Sequence, residues 1–266
     1  MTNSGRLVVV GVGMTLGAHL SPICRSHIEQ ADMVFCSVSD PLVEQWVKEM
    51  SGEFINLQSF YQEGKDRRQT YQQMTETVID AVRSGKHVVA VFYGHPGVFA
   101  MAPHKMVSQA IAEGFAAHME PSISAEDCLY ADMGIDPGKV GCLHFETSQF
   151  MLYHHAIDPS AYLILWQIGL AGDVAAKQYT TDPRFRGLLV EQVAAHYPME
   201  HQVALYEAPT LPIHEPRIEW LPLSELQQAE VFQHSTLVVP PATKLQRNND
   251  MADKIAALQQ VIADEH

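Results

Sequence analysis

Two tyrosines and two arginines lie close together in one polar segment of the chain, at Tyr61, Arg67, Arg68 and Tyr71. A guanidinium stays charged at any working pH and offers a fixed set of donors. A phenol donates a proton, or accepts one when its pKa is lowered. Together these groups suit a reaction that draws negative charge onto the oxygen of an amide while its nitrogen reacts. The alternative is an ordinary solvated arginine pair beside two half-buried tyrosines.

An amide nitrogen is a poor nucleophile because its lone pair is delocalised into the carbonyl. Arg67 and Tyr71 are predicted to donate to the amide oxygen, where loss of one donor typically lowers a rate by about 100-fold or more. Tyr61 is the candidate base or proton relay, with a pKa that the neighbouring guanidinium lowers. Tyr61 and Tyr71 can exchange these roles. Phe60 and Arg68 are the candidates for contacts with a substrate.

Strand and helix signals alternate through the first 120 residues, which predicts a mostly parallel sheet with right-handed crossovers. Continuous apolar runs indicate buried strands, and Ser21-Pro22 and Gly85 mark helix ends. The predicted strands are 7–11, 33–36, 54–55 and 87–93, and the predicted helices are 22–31, 41–50, 67–84 and 103–113.

A second set of elements follows residues 119–123. It comprises helices at 125–133 and 188–196, strands at 141–145, 163–166, 203–206 and 236–239, and a proline-rich edge hairpin or excursion at 209–222. We therefore expect an α/β protein with an N-terminal domain (1–119), a C-terminal domain (123–245) and a helical tail (246–266). One face of the tail is apolar, which suits docking on its own domain or on a partner, and we expect docking on its own domain. That face carries Met251, Ile255, Leu258 and Ile262.

Two glycine-containing loops follow predicted strands. The loop Gly11–Gly17 permits a tight turn and close approach to a ligand, although its third glycine comes one residue late for a dinucleotide-binding fingerprint. A plain strand-to-loop turn is the alternative there. The loop Tyr93-Gly94-His95-Pro96-Gly97 follows the strongest strand, where a parallel sheet presents backbone groups to a flat ligand. Further motifs are a helix-capping pattern at 121–127 and the strand ends at 166–168 and 206–209.

Taken together, the loops at 11–17 and 94–97 and the helix start at 124–125 resemble the tetrapyrrole methylase superfamily. Its members have two α/β domains with S-adenosylmethionine in the cleft between them. Within it, the chain is most similar to the borosin-type peptide backbone α-N-methyltransferases, over about residues 6 to 245. The narrower resemblance lies in residues 60–61, 67–71, 93–100, 122–129, 166–168 and 206–209. It implies methylation of backbone amides, with S-adenosylhomocysteine as the second product.

The same resemblance implies a cofactor site built from both domains. The predicted cofactor-binding residues are Gly11, His95, Val98, Phe99, Ala100, Ser124, Ala125, Gln167, Tyr206, Glu207 and Ala208. Tyr93 is predicted to face the substrate or to pack beneath its loop, and Trp166 to pack in the core. For Glu207, a bond to a backbone amide and a solvated strand end both remain open.

Fused members of the borosin family carry a clasp and a substrate segment after the catalytic domain. This sequence ends at His266 after one short polar helix. The resemblance therefore implies a separate precursor peptide that is methylated in trans. It also implies a homodimer, or a heterotetramer with two precursor chains bound.

Composition excludes several partners. A net charge of −14 disfavours binding to nucleic acid, and no run of 18 apolar residues is present to span a membrane. The polar N-terminus lacks a signal peptide, so we expect a cytoplasmic protein whose four cysteines are reduced. The closest histidine groups, His154-His155 and His196 with His201, lack metal-ligand spacing, so no metal is expected.

Three other functions fit parts of the pattern. The first is methylation of a small molecule, such as a corrin-type macrocycle, which predicts a wide cleft and no use for the tyrosine and arginine cluster. The second is a non-catalytic peptide-binding scaffold that retains a nucleotide-like pocket. The third is a nicotinamide-type dinucleotide-binding protein, which titration with S-adenosylmethionine and with NAD distinguishes.

Overall fold

The computed structural model describes residues 4–62, 64–174, 177–178 and 180–265. The strands in these residues are β1 (Arg6–Gly11), β2 (Met33–Ser37), β3 (Phe54–Asn56), β4 (His87–Phe92), β5 (Ala116–Met119), β6 (Cys142–Glu146), β7 (Tyr162–Trp166), β8 (Gln202–Glu207), β9 (Arg217–Pro222) and β10 (Thr236–Val239). The α-helices are α1 (Pro22–Glu29), α2 (Pro41–Met50), α3 (Arg67–Arg83), α4 (Met101–Ala112), α5 (Ala125–Met133), α6 (Pro137–Val140), α7 (Thr147–Leu152), α8 (Pro183–Ala194) and α9 (Asn249–Asp264). Short 3-10 helices cover Leu57–Phe60, Ile168–Leu170 and Leu223–Gln228.

The first sheet is parallel throughout and has the strand order β3-β2-β4-β1-β5. Its central strands are buried on both faces, as expected when helices cover both sides of a parallel sheet. In β1, Leu7 and Val9 pack into one core and Val8 and Val10 into the other, because successive side chains point to opposite faces. The carboxyl ends of all five strands therefore lie along one edge.

Helix α3 begins at a residue that fixes its first turn. The side chain of Asp66 accepts a hydrogen bond from the backbone N–H of Arg68 at 2.8 Å, which caps the helix. Further along, Met74, Val78 and Val82 of α3 are fully buried in the core of the first sheet. The cap and the buried face together hold the start of α3 against the carboxyl edge of that sheet.

The second sheet is mixed and has the order β6-β7-β10-β8-β9. Strand β6 pairs with β7 in parallel, and β10 is antiparallel to both β7 and β8. It follows that β6, β7 and β8 run in one direction and end at a common edge. Strand β9 pairs with β8 at the outer side, within the proline-rich stretch predicted as an edge hairpin.

The strands and α-helices agree with the sequence pattern except in three places. Strand β5 and helices α6 and α7 were not predicted. The residues of β5 alternate between exposed and half-buried, so the strand lacks the continuous apolar run of its neighbours. A short edge strand of this kind has no strong sequence signal.

The expectation that the apolar face of the tail docks on its own domain is wrong. Helix α9 buries none of its residues. Its apolar side chains Met251, Ile255, Leu258 and Ile262 are each about half exposed. The residues that lead into the helix, 242–248, are exposed as well, so nothing in the described chain covers this face.

Two further expectations concern thiols and membranes. The cysteines are free thiols, three of them buried. None of the helices in the described part of the chain has the length and apolar character needed to cross a bilayer.

Candidate active site

The tyrosines and arginine singled out by the sequence meet at the carboxyl edge of the first sheet. Tyr61 follows the 3-10 helix after β3, Tyr93 directly follows β4, and Ser37 ends β2 between them. Arg67 and Tyr71 come from the first two turns of α3. Because parallel strands all end at the same edge, the order β3-β2-β4 brings these side chains together.

Ring contacts organise the cluster. The guanidinium carbon of Arg67 lies 4.6 Å from the centroid of the Tyr61 ring, within the range of a cation–π contact. The rings of Tyr61 and Tyr71 meet edge to face, with centroids 6.4 Å apart. The hydroxyl of Tyr93 lies within electrostatic range of both Arg67 and Tyr71, although its side chain is 55% exposed. Burial nevertheless raises the pKa of Tyr93, so its hydroxyl is less solvated than the exposure of the whole residue implies. One cation and three phenols thus share a partly buried region.

Burial, rather than the guanidinium, sets the protonation of Tyr61. Burial raises the pKa of Tyr61 well above the ordinary range, and Tyr71 raises this pKa further. Arg67 and a hydrogen bond with Ser37 lower the pKa of Tyr61, but by less. The prediction of a lowered Tyr61 pKa is therefore wrong in its net direction, because desolvation of a phenolate outweighs one nearby cation. Tyr61 is a neutral phenol at neutral pH.

Of the two candidate substrate contacts, one side chain is partly buried and the other is exposed. Phe60 packs against the core of the first sheet, and its carbonyl accepts a hydrogen bond from the Lys65 ammonium at 2.9 Å. Arg68 is exposed beside the cap of α3. Phe60 therefore supports the segment that carries Tyr61, and the substrate contacts of Phe60 and Arg68 stay predictions.

Gly11 is required by packing between loops. A Cβ atom at Gly11 would lie 2.2 Å from the Gly94 carbonyl oxygen and 2.7 Å from the Ser122 Cβ. The backbone of Gly13 also pairs with that of Gly94. The first glycine loop, the 93–100 loop and the segment between the sheets therefore converge here. The room that a Cβ at Gly11 would need is filled by protein, so packing alone requires glycine here, and contact of the Gly11 backbone with a cofactor stays a prediction.

The loops of the first sheet also touch those of the second. The Leu16 N–H donates to the Thr210 carbonyl at 2.9 Å, and the Thr15 hydroxyl donates to the Pro209 carbonyl at 3.1 Å. On another side, the rings of Phe99 and Trp166 lie 5.5 Å apart between centroids. These contacts bring the loops at the carboxyl edges of the two sheets together, and we call the region between these loops the cleft.

Two residues at this cleft have strained backbones. Among the described non-glycine residues, Phe99 has a φ of 49° and Gln167 a φ of 60°, both left-handed. Such conformations cost about 1–3 kcal/mol and concentrate at functional sites. Gln167 directly follows β7 and is only partly buried. Two residues with strained backbones, Gln167 with its amide side chain and Phe99 with an exposure of 46%, thus lie where the two sheets meet.

The remaining first-domain cofactor candidates lie in the same loop. The Nδ1 atom of His95 accepts a hydrogen bond from the Gly97 N–H at 2.9 Å, so the neutral ring carries its proton on Nε2. Val98 is partly buried, and its N–H donates to the His95 carbonyl. Ala100 precedes α4 as a helix cap without a side-chain hydrogen bond. Internal hydrogen bonds therefore fix the 93–100 loop and leave some of its polar groups without partners among the described residues.

The second-domain candidates divide into engaged and partly accessible side chains. Ser124 is buried in a capping box with Asp127. The hydroxyl of the buried Tyr206 donates to the exposed Asp132 at 2.7 Å, and burial and Asp132 both raise the pKa of Tyr206. Ala125 and Ala208 are partly buried at the edge of the same core. The serine and tyrosine side chains therefore have structural partners. The capping pattern at 121–127 predicted the role of Ser124, whereas the sequence did not indicate Asp132 as the partner of Tyr206.

Glu207 follows neither of the two interpretations left open by the sequence. Its carboxylate accepts from the Arg217 guanidinium at 2.8 Å and from the Ser235 hydroxyl at 2.6 Å. It is only 12% exposed. Glu207 therefore anchors the ends of β8 and β9, and its carboxylate is occupied by protein groups.

Sequence reasoning missed a hydrogen-bonded chain beneath the cleft. The Trp166 indole N–H donates to His144 Nδ1 at 3.1 Å, and His144 Nε2 lies 2.7 Å from the Tyr130 hydroxyl, which donates to Glu126 at 2.9 Å. Because an indole N–H only donates, His144 must be neutral with its proton on Nε2. Burial lowers the pKa of His144, which favours that neutral form. The chain holds Trp166 in place under Phe99.

A family profile identifies the class of protein that this fold and cleft define. The profile of the Tetrapyrrole (Corrin/Porphyrin) Methylases matches residues 6–227, and the chain belongs to that family. The uroporphyrin-III-C-methyltransferase from Thermus thermophilus has the same fold, with a TM-score of 0.63 and 17% identity over 90% of this chain and 93% of that one. A second structure of that enzyme, complexed with S-adenosyl homocysteine, gives a TM-score of 0.60 at 15% identity, over 89% and 92%. The predicted α/β fold class is confirmed.

Curated relatives narrow the family assignment. A methyltransferase and type I borosin cyclic peptide precursor from Coprinopsis marcescibilis is 38% identical over 90% of this chain and 62% of that protein. The methyltransferase and omphalotin A precursor from Omphalotus olearius is 35% identical over 97% and 63%. The resemblance to borosin methyltransferases is thus confirmed. The chain spans about three fifths of the length of these relatives.

Proposed function

We propose that this chain transfers methyl groups from S-adenosylmethionine to backbone amide nitrogens of a ribosomally made precursor peptide. The observation that carries the proposal is the meeting of Tyr61, Arg67, Tyr71 and Tyr93 beside the cleft between the two sheets. The borosin relatives support the peptide as substrate. A methylase of flat macrocycles has no evident need for one cation and three phenols at this position.

Methylation of an amide requires the loss of its N–H proton and the transient placement of charge on its oxygen. The N–C bond then forms as the S–C bond of the sulfonium breaks, leaving an N-methyl amide, S-adenosylhomocysteine and a proton. Arg67 and Tyr71 donate to the oxygen, where hydrogen bonds strengthen as charge develops. Tyr93 follows β4 and interacts electrostatically with Arg67 and Tyr71, so it is suited to orient the peptide.

The raised pKa of Tyr61 constrains its role. In the protein alone, Tyr61 is a donor, so it can share the oxygen with Arg67 and Tyr71. Further positive charge would lower this pKa and favour the basic form, and the sulfonium of S-adenosylmethionine would supply such a charge if it were held beside Tyr61. Proton removal by Tyr61 is thus coupled to the presence of the methyl donor, which avoids an unproductive phenolate in its absence.

The cleft has features that fit an adenosine-bearing methyl donor. The Ser122 hydroxyl oxygen is buried and has no hydrogen-bond partner in the described protein, at the point where the glycine loops converge. Phe99, whose backbone is strained, contacts the ring of Trp166, and the strained residue Gln167 directly follows Trp166 in the chain. We assign the donor site to the partly accessible residues His95, Val98, Phe99, Ala100, Gln167 and Ala208. S-adenosylmethionine supplies an electrophilic methyl on a positively charged sulfur when bound there.

We further propose that the precursor acts as a separate chain and that the enzyme works as a homodimer in the cytoplasm, alone or with two precursor chains. The exposure of Tyr93 and Phe99 supports access by a peptide from outside. A peptide offered in trans is therefore a suitable probe whatever its natural covalent context.

Mass spectrometry tests the proposal directly. The purified chain is incubated with S-adenosylmethionine and a synthetic peptide that has a helical leader and an apolar tail rich in valine and isoleucine. We expect mass gains of one methylene per transfer, which fragmentation places on backbone nitrogens. Methylation of a corrin-type macrocycle alone would favour the small-molecule alternative, and methylation confined to peptide side chains would contradict transfer to backbone nitrogens. Binding of the peptide without any methylation would favour the scaffold alternative.

A further inference from the structure

Three potential metal ligands from separate elements converge at the β5 edge of the first sheet. His27 lies on α1, His118 lies on β5, and Glu120 follows that strand. The side-chain ligand atoms of all three lie within 4.8 Å of one another. The Nε2 atoms of His27 and His118 lie 3.4 Å and 3.0 Å from Glu120 Oε1. These residues lie at the opposite edge of the sheet from Tyr61, which follows β3.

These distances suit a small divalent ion. Zinc binds imidazole nitrogen and carboxylate oxygen at about 2.0–2.2 Å, so neighbouring ligands of a tetrahedral site lie about 3.4 Å apart. Two imidazoles and one carboxylate are also a known donor set for zinc that leaves one position for water. The rings of His27 and His118 meet edge to face at 5.7 Å between centroids, which lets both Nε2 atoms point to one place.

A second observation points to a missing ligand. The Nε2 atom of His27 is shielded from solvent and has no hydrogen-bond partner within the described residues. An imidazole nitrogen in that state normally has a cost, because it has lost water without gaining a partner. The 3.0 Å contact between His118 and Glu120 satisfies those two groups but not His27. A cation between all three would satisfy His27 as well.

A metal ion can reach the three side chains from solvent. The side chain of His118 is 54% exposed, whereas those of His27 and Glu120 are 25% and 18% exposed. An ion can thus enter from the His118 side and be held against two more protected ligands.

We propose that His27, His118 and Glu120 bind one divalent transition-metal ion, with Zn²⁺ as the probe. The ion joins α1 to β5 and to the segment between the sheets. Glu120 donates its N–H to the Val9 carbonyl at 2.9 Å, and Ser122 packs on Gly11 two residues later. The site is therefore close in sequence to the converging glycine loops and independent of the proposed methyl transfer.

The sequence expectation of no metal rested on neighbouring histidines and could not test this site. His118 and Glu120 share a strand face because they are two residues apart. Their third partner lies about 90 residues earlier, on a helix. Only the packing of α1 beside β5 brings His27 to them.

Calorimetric titration of the metal-stripped full chain with Zn²⁺ tests the proposal. We expect one tight equivalent per chain and a higher thermal unfolding temperature when zinc is present. His118→Ala and Glu120→Gln should each weaken this binding by more than about tenfold. His154→Ala and His196→Ala remove exposed histidines from the two pairs noted in the sequence and should leave it unchanged.

Two results would overturn the site. One is equal zinc affinity in the wild type and in the His118→Ala and Glu120→Gln variants. The other is a loss of tight binding in His154→Ala or His196→Ala instead. Because His118 is half exposed, its replacement by alanine should leave the fold intact. Visible absorption of the Co²⁺-substituted wild type gives a check without any variant, since a tetrahedral site with imidazole ligands absorbs far more strongly than hydrated Co²⁺.

Discussion

The polar clusters of the two domains are built in different ways. At the edge of the first sheet, Arg67, Tyr61 and Tyr71 meet one another through ring faces and edges. Beneath the second sheet, the chain from Trp166 through His144 and Tyr130 to Glu126 is joined by hydrogen bonds at every step. A cation–π contact and an edge-to-face ring pair thus organise the first cluster, whereas the second chain ends its donors on protein acceptors.

This difference suggests that the first cluster contributes to catalysis and the second to stability. The first cluster has a positive charge, neutral phenols and an exposed member, Tyr93, so it is suited to receive an oxygen that gains charge. The second cluster keeps His144 neutral and fixes the indole of Trp166. It contacts the cleft through the rings of Trp166 and Phe99. Changes in the first should therefore affect rate, and changes in the second should affect stability.

Arg67 should show the largest effect. Arg67→Ala removes the cation over Tyr61 and should lower the methylation rate by about 100-fold or more, with little change in S-adenosylmethionine affinity. Arg67→Lys keeps the charge but loses the planar set of donors, so most of the loss should remain. Rates come from mass spectrometry of the peptide and affinities from calorimetry. Arg184→Ala, at a guanidinium 86% exposed on α8, is the matched control. Wild-type rates in Arg67→Ala would discard the assignment.

The pH dependence of the rate should report Tyr61. Because burial raises the pKa of Tyr61, its basic form becomes more abundant as pH rises, and the rate should increase with pH through and above neutrality. Ser37→Ala removes a hydrogen bond that lowers this pKa, so the ascending limb should move to higher pH and the neutral-pH rate should fall several-fold. Tyr61→Phe should abolish the dependence. Ser59→Ala, in the exposed part of the preceding 3-10 helix, serves as the control. A profile that is flat in the wild type contradicts the role of Tyr61 as base.

The second cluster should control acid stability. The pKa of His144 is lowered in the folded protein from an ordinary value of about 6.5, so the unfolded chain binds more protons below that pH. The stabilising contribution is complete above about pH 6.5 and is lost as pH falls towards the folded-state pKa. Trp166→Phe removes the donor to Nδ1, should cost about 1–3 kcal/mol at pH 7.5 and should reduce the further loss on acidification.

Urea unfolding at pH 7.5 and pH 5 measures both quantities. His87, whose pKa is also lowered by burial, contributes equally to wild type and variant and cancels in the comparison. An acid sensitivity in Trp166→Phe that equals or exceeds that of the wild type contradicts the assigned tautomer.

The two clusters also differ in how far the sequence could predict them. Tyr61, Arg67 and Tyr71 are close in the chain, and Tyr93 follows a strong strand, so parallel-sheet topology alone predicts their meeting. The sign of the Tyr61 pKa depends on burial, which the sequence does not show. The chain below the second sheet joins residues from α5, β6 and β7 through hydrogen bonds whose partners only the folded structure gives. The same holds for the pairing of Glu207 with Arg217, which turned an apparent ligand into an anchor.

Substitution of Gln167 should give the smallest change in stability. It tests whether this residue belongs to the site of the methyl donor or to the second cluster. Its left-handed backbone, with a φ of 60°, is strained in any residue with a Cβ, so Gln167→Gly should relieve strain and raise stability by about 1 kcal/mol or leave it unchanged. Gln167→Ala keeps the strain and removes only the amide. If the amide binds the methyl donor, both variants should lose S-adenosylmethionine affinity to a similar extent while their stabilities differ. If affinity falls only in the glycine variant, backbone rigidity rather than the amide serves the site. Unchanged affinity in both would remove Gln167 from the donor site, and the strain at the end of β7 would then belong to the supporting cluster.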